Sequence, residues 1–151
     1  MNIWKKPISL ERLNATSKNT MMEHLNIIYT EITENTISAT MPVCSYTHQP
    51  LGMLHGGASV VLAETLGSIA GNFAVDKTRY CVGLDINANH LRAMRQGQVI
   101  GTAKPIHIGI STQVWQIDIT DEQGRLVCVS RLTLAVKQQR NKVSQDSEAS
   151  E

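Results

Sequence analysis

Between Ala58 and Ala74 the chain reads ASVVLAETLGSIAGNFA, and apolar residues fall on nearly every side of a wheel of about 3.6 residues per turn. Val60, Val61, Leu62, Ala63, Leu66, Ile69, Ala70 and Phe73 carry the run, and Glu64 is its one ionisable side chain. The pattern predicts a long buried helix, opened by His55-Gly56-Gly57 and ending around Val75 to Thr78, where charge returns. It also predicts a carboxylate in an apolar setting, which is costly unless the group is paired, hydrogen-bonded or near water. Elsewhere the period is two. Leu25 to Thr33 and Thr36 to Val43 alternate on either side of Thr33-Glu34-Asn35, as two antiparallel strands joined by a tight turn. Tyr80 to Leu91 alternates with Val82, Leu84 and Ile86 on one side. Gln98 to Ile108, Thr112 to Thr120 and Arg125 to Val136 follow, the last two flanking the turn Asp121-Glu122-Gln123-Gly124. Pro105 marks a bulge or an edge position in its strand.

The remaining segments are connections. Ser9 is placed to cap a short helix, Leu10 to Ala15. Cys44 to Leu54, with Pro50 and Gly52, reads as a loop leading into the long helix. The elements describe an α+β protein: two strands, one central helix, then four strands in an antiparallel meander. One sheet covers one side of the helix and leaves the other open, so a partner subunit is expected.

Length and charge narrow the field. The chain has 151 residues, which favours one domain over residues 1–136, with a polar, disordered tail at residues 137–151. The formal net charge of +1 gives no electrostatic case for nucleic acid or an anionic membrane. No segment approaches ~20 uninterrupted apolar residues and no secretory leader is visible at Met1 to Leu10, so the expected location is the cytoplasm. Cys44, Cys81 and Cys128 lie far apart in apolar runs and read as reduced core thiols.

Candidate chemistry gathers around the helix. Ser68 and Asn72 follow Glu64 at i+4 and i+8, a polar strip on an apolar rod, and no Lys or Arg lies within the helix to pair with Glu64. Such a carboxylate suits a nucleophile or general base; a neighbouring hydroxyl or an arginine from elsewhere is the structural alternative. Gly56 and Gly57 sit where the first turn of a helix has unpaired N–H groups, and glycine lets another group approach the backbone, so this turn can hold a developing oxyanion. Gln49 and His55 flank it. His90 and Arg92 close a strand, where a cation suits phosphate. His107 and Gly109 lie in another turn. There is no G-x-S-x-G elbow, Walker loop or GxGxxG after a strand, and the His and Cys spacings do not match a zinc site.

Taken together these residues resemble the hotdog-fold acyl-CoA thioesterases whose catalytic Glu lies on the central helix. The resemblance rests on QPLGMLHGGAS (Gln49–Ser59), AETLGS (Ala63–Ser68), GLDINANHLR (Gly83–Arg92) and VWQIDI (Val114–Ile119), and spans roughly Ile3 to Val136. The similar branch contains the 1,4-dihydroxy-2-naphthoyl-CoA thioesterases of menaquinone synthesis and the proofreading thioesterases of aryl carrier proteins. The resemblance implies an antiparallel sheet wrapped around one long helix and hydrolysis of an aromatic acyl-CoA. Glu64 would be nucleophile or general base, and the Gly56 N–H would polarise the carbonyl with help from Gln49 and His55. Ser68 would position water or the acyl group from the neighbouring subunit. Val82, Gly83, His90, Leu91 and Arg92, with the turn His107, Ile108, Gly109, Ile110 and Ser111, would line the path of pantetheine and nucleotide. Ile110 departs from the basic or polar residue that relatives in this family often carry there. The resemblance also implies a homo-oligomer, a dimer of dimers, with no metal or cofactor. A hotdog 3-hydroxyacyl thioester dehydratase and a non-catalytic acyl-CoA-binding subunit are the rival readings.

Overall fold

The computed structural model describes residues 1–140. The Ser9 hydroxyl accepts from the Arg12 amide and starts α1 (Leu10–Thr16), and the single turn α2 (Met21–His24) follows. β1 (Ile28–Ile32) and β2 (Ile37–Pro42) form the expected hairpin, closed by a Thr33 N–H to Thr36 carbonyl bond of 3.0 Å. The long helix α3 (Gly56–Phe73) ends at Phe73, before the charged residues return. The remaining strands are β3 (Arg79–His90), β4 (Gln98–Ile108), β5 (Thr112–Thr120) and β6 (Leu126–Gln138). β6 thus runs two residues past Val136, and the rest of the expected tail, residues 141–151, lies outside the described residues.

All six strands form one antiparallel sheet in the order β1-β2-β4-β5-β6-β3. The expected four-strand meander is therefore corrected: β4, β5 and β6 meander, but β3 sits at the far edge, paired with β6. The reason is long-range. α3 packs across β2 to β6 and delivers the chain to the far edge of the sheet, and residues 91–97 carry it back to pair with β2. That return is held down: Leu91 N–H bonds the Val127 carbonyl at 2.8 Å and Leu54 N–H bonds the Met94 carbonyl at 2.7 Å. It passes the N-terminal end of α3, which puts residues 91–93 beside Gly56.

β3 also breaks the expected alternation. Cys81 is buried, with its thiol directed at the Gly71 carbonyl (3.4 Å), and Gly83, two residues on, faces the helix at Glu64. Then the phase changes: Ile86 and Ala88 pack on the core and His90 reaches Gly56. The pairing with β6 shifts between Gly83 and Asp85, so Leu84 has no partner there. One extra residue in a strand exchanges its two faces. Val82 and Leu84, expected on the side of Ile86, are instead exposed. A second bulge falls between Pro105 and His107, at the proline that the sequence marked.

The core lies between α3 and the sheet, where Leu62, Leu66, Trp115, Ile117, Ile119, Leu132 and Leu134 are fully buried. Cys81 and Cys128 are buried free thiols, with burial pushing both pKa values up, while Cys44 is half-buried. Among the described residues no helix is long and apolar enough to cross a membrane.

Candidate active site

The loop before α3 is fastened at both ends. Thr47 bonds the Pro42 carbonyl through its hydroxyl (2.8 Å) and receives the His55 N–H on its own carbonyl (2.7 Å). Gln49 donates its backbone N–H to the Met53 carbonyl (2.8 Å), and its side-chain Oε1 accepts from the Leu51 amide. That bond fixes the orientation of the carboxamide: the oxygen is used and the Nε2 donors are left over.

His55 is the N-cap of α3, and its Nδ1 accepts from the Gly57 N–H at 2.8 Å. A neutral imidazole accepting at Nδ1 carries its proton on Nε2. The Ala58 and Ser59 N–H groups bond the His55 carbonyl at 2.9 and 3.3 Å. Of the first N–H groups of the helix, which have no partner inside it, only that of Gly56 has none among the described residues. The His90 ring covers the other side of Gly56, since a β-carbon there would sit 2.8 Å from Nε2. Gly56, Gln49 and His90 open onto a pocket of about 340 Å³, which Leu91 and Arg92 also line. Five residues singled out in the sequence therefore converge. Met53, Leu54, Ser59, Ala93 and Val127 line the same pocket and were missed. Ser59 could have been found from its i+3 spacing to Gly56; Val127 comes from a distant strand and left no local signal.

Glu64 lies elsewhere. It stands eight residues beyond Gly56, about 12 Å along the helix axis, with Oε1 3.1 Å from where a Gly83 β-carbon would be. The carboxylate is exposed, which corrects the expectation of a fully buried helix. One sheet covers one face of α3, and Glu64 is on the face it leaves open. None of the four ion pairs among the described residues involves Glu64. Ser68, one turn further, is half-buried. Asn72 leaves the polar strip altogether: it bonds the Cys81 N–H and carbonyl (2.8 and 3.2 Å) and the Ser68 carbonyl (2.9 Å), pinning β3 to the helix.

Val82 and the turn His107–Ser111 belong with this second group. Ala135 pairs with Val82 on one side and Thr112 on the other, and the Val136 N–H bonds the Ser111 carbonyl at 2.9 Å. Ile108 and Ile110 are exposed there. The expected site residues thus form two clusters within one chain. Gln49, His55, Gly56, His90, Leu91 and Arg92 surround the start of α3. Glu64, with Gly83 beside it, lies at the middle of the helix and Ser68 one turn on, with Val82 and the turn at residues 107–111 on the strands next to them.

Residues 51–128 match the family model of the Thioesterase superfamily. Over 140 residues, 93% of each chain, the protein is 79% identical to a Vibrio cholerae protein named as a candidate esterase. It is 54% identical over 134 residues to the 1,4-dihydroxy-2-naphthoyl-CoA hydrolase of Escherichia coli, covering 89% of this chain and 98% of that one. The figures are the same for the proofreading thioesterase EntH of Cronobacter sakazakii. The crystal structure of a Haemophilus influenzae thioesterase superposes with a TM-score of 0.89 at 49% identity, covering 96% of this chain and 99% of that one.

Proposed function

This chain belongs to the thioesterase superfamily and is a hotdog-fold thioester hydrolase, and on that premise we propose that it cleaves an aromatic acyl-CoA, 1,4-dihydroxy-2-naphthoyl-CoA of menaquinone synthesis, to the free acid and CoA. The observation that carries this reading is the division of the functional groups. An unpartnered N–H and a donor amide lie at Gly56 and Gln49, and an unpaired carboxylate lies at Glu64, too far along one helix to meet them on one carbonyl.

A homodimer closes that gap. Among the described residues β3 presents an unpaired edge of 12 residues with Val82 and Leu84 exposed, the kind of edge that invites a further strand. Gly83 marks the position of Glu64 on β3, and His90 marks that of Gly56. Antiparallel pairing of β3 with its copy, about a twofold axis near Ile86 and Asn87, sets Gly83 of one subunit opposite His90 of the other. Each Glu64 then faces the other subunit's Gly56. Two such dimers pair into a tetramer.

In that site the Gly56 N–H and Gln49 Nε2 donate to the thioester oxygen as negative charge develops on it. His55 keeps the Gly57 N–H occupied and the turn in place. Glu64 of the second subunit attacks the carbonyl carbon, or takes a proton from an attacking water that Ser68 positions. The new carbon–oxygen bond forms, the carbon–sulfur bond breaks, and CoA leaves as a thiolate that takes up a proton; where Glu64 itself attacks, a water then hydrolyses the acyl–Glu64 anhydride, releasing the acid and restoring the carboxylate. His90, Leu91 and Arg92 from one subunit, with Val82, Gly83 and residues 107–111 from the other, hold pantetheine and nucleotide. Acyl-CoA supply places the reaction in the cytoplasm.

Thiol release from 1,4-dihydroxy-2-naphthoyl-CoA tests the reading. Glu64→Gln and Glu64→Ala lose turnover by orders of magnitude while the melting temperature holds, because the carboxylate is exposed and makes no ion pair among the described residues. Wild-type turnover in either variant overturns the assignment. Hydrolysis of an aryl-carrier-protein thioester is the second reading, favoured by the equal identity to EntH. A higher kcat/KM on the carrier-protein thioester than on its CoA counterpart selects it.

A further inference from the structure

Ser59 lies one turn beyond Gly56 on α3 and is 1% exposed. Its N–H is used by the His55 carbonyl; its hydroxyl enters none of the side-chain hydrogen bonds among the described residues, and it is not one of the sealed polar atoms but borders the pocket. The small outlet it has is the pocket that Gly56, Gln49 and His90 also line. The neighbouring walls are apolar: Met53, Leu54 and Val127. A buried hydroxyl without a partner is unfavourable unless something entering the pocket satisfies it, and an alanine would serve the helix at least as well.

Direction favours a substrate atom as that partner. Helical side chains lean toward the N-terminus of their helix. Ser59 therefore leans back over the turn whose free N–H, at Gly56, points to where the carbonyl oxygen would bind. Side chains three apart on a helix are about 5–6 Å from each other, so atoms next to that carbonyl come within reach of the Ser59 hydroxyl. Met53, Leu54 and Val127 offer apolar surface to the unsubstituted part of an aromatic ring.

We infer that Ser59 determines specificity, its hydroxyl exchanging a hydrogen bond with a hydroxyl group ortho to the thioester carbonyl of an aromatic acyl group. The inference rests on the aromatic acyl-CoA reading and deepens it. A site built around a buried polar group rejects a substrate that cannot satisfy it, which makes Ser59 a filter against acyl groups lacking that hydroxyl.

The test compares kcat/KM for 2-hydroxybenzoyl-CoA, 4-hydroxybenzoyl-CoA and benzoyl-CoA in the wild type, Ser59→Ala and Ser59→Cys. The wild type prefers the 2-hydroxy compound to the other two. Ser59→Ala lowers kcat/KM for it about tenfold more than for benzoyl-CoA, and Ser59→Cys, a weaker hydrogen-bonding group of similar size, falls between. Melting temperatures of both variants confirm that they fold. Equal losses on all three thioesters, or an unchanged preference, overturn the role of Ser59 while the aromatic acyl-CoA reading stands. A wild-type enzyme that cleaves none of the three overturns both.

Discussion

The imidazole of His90, at the end of β3, lies so close to Gly56 at the start of α3 that a β-carbon on Gly56 would sit 2.8 Å from Nε2 and 3.0 Å from Cε1. The contact joins a strand end to a helix start and leaves room for nothing larger than hydrogen. Gly56→Ala must push His90 aside or tilt the first turn, and either movement disturbs the one free N–H of that turn. Removing an oxyanion donor costs about 100- to 1,000-fold in kcat. The expected outcome for Gly56→Ala is a fall of that order in kcat with the fold retained by circular dichroism, and undiminished turnover would remove the Gly56 N–H from the mechanism.

Division of the site between subunits gives a sharper test. Glu64→Gln and Gln49→Ala homodimers each carry two damaged sites. A mixed dimer has one site with both defects and one with neither. Unfolding the two variants together and refolding them at equal concentration should return about a quarter of wild-type activity, from random pairing. If Glu64 and Gln49 serve the same site from one chain, mixing restores nothing.

Asn72 holds β3 to the helix through two hydrogen bonds to the Cys81 backbone, and its side chain also bonds the Ser68 carbonyl within α3. Asn72→Ala strands the Cys81 N–H at the sheet edge. The expected loss is about 1–3 kcal/mol of stability, read as a lower urea midpoint at unchanged m. Turnover of the folded variant should show no comparable loss, unlike that of Glu64→Gln.

Asp76, between α3 and β3, accepts hydrogen bonds from the Thr78 hydroxyl and amide and from the Arg79 guanidinium. The Thr78 hydroxyl foremost, then Arg79, holds its carboxyl down at about 2, against an ordinary 3.8. A carboxylate whose pKa is lowered by folding stabilises the fold above its unfolded pKa and loses that contribution as pH falls through the folded one. The melting-temperature difference between wild type and Asp76→Asn should be constant above about pH 5 and shrink between about pH 4 and 2. A difference that persists unchanged to pH 2 would mean the charge contributes nothing.

Local chemistry was legible in the chain. Ser9 caps α1 as its side chain dictates. The turn at Asp121–Gly124 forms because Asp121 Oδ1 accepts the Gln123 and Arg125 amides while Gly124 takes a φ of 79°. Pro105, without an N–H, sits beside a bulge. The entry to α3 at His55-Gly56-Gly57 was legible as well, though not that the His55 ring accepts from Gly57 as the cap. In each case the residues responsible are neighbours in the chain.

The sequence by itself determined the elements, their caps and turns, and the residue types at the start of the helix. Tertiary structure decided that β3 lies at the sheet's far edge, that its bulge turns His90 onto Gly56, and that Glu64 stands on the uncovered face, apart from the turn it was expected to serve. Periodicity records which residues avoid water over one or two turns of chain. Strand order and strand phase depend on pairing between segments far apart in the chain, as in Gly83 with Leu134, 51 residues on, and no local pattern encodes which partner wins.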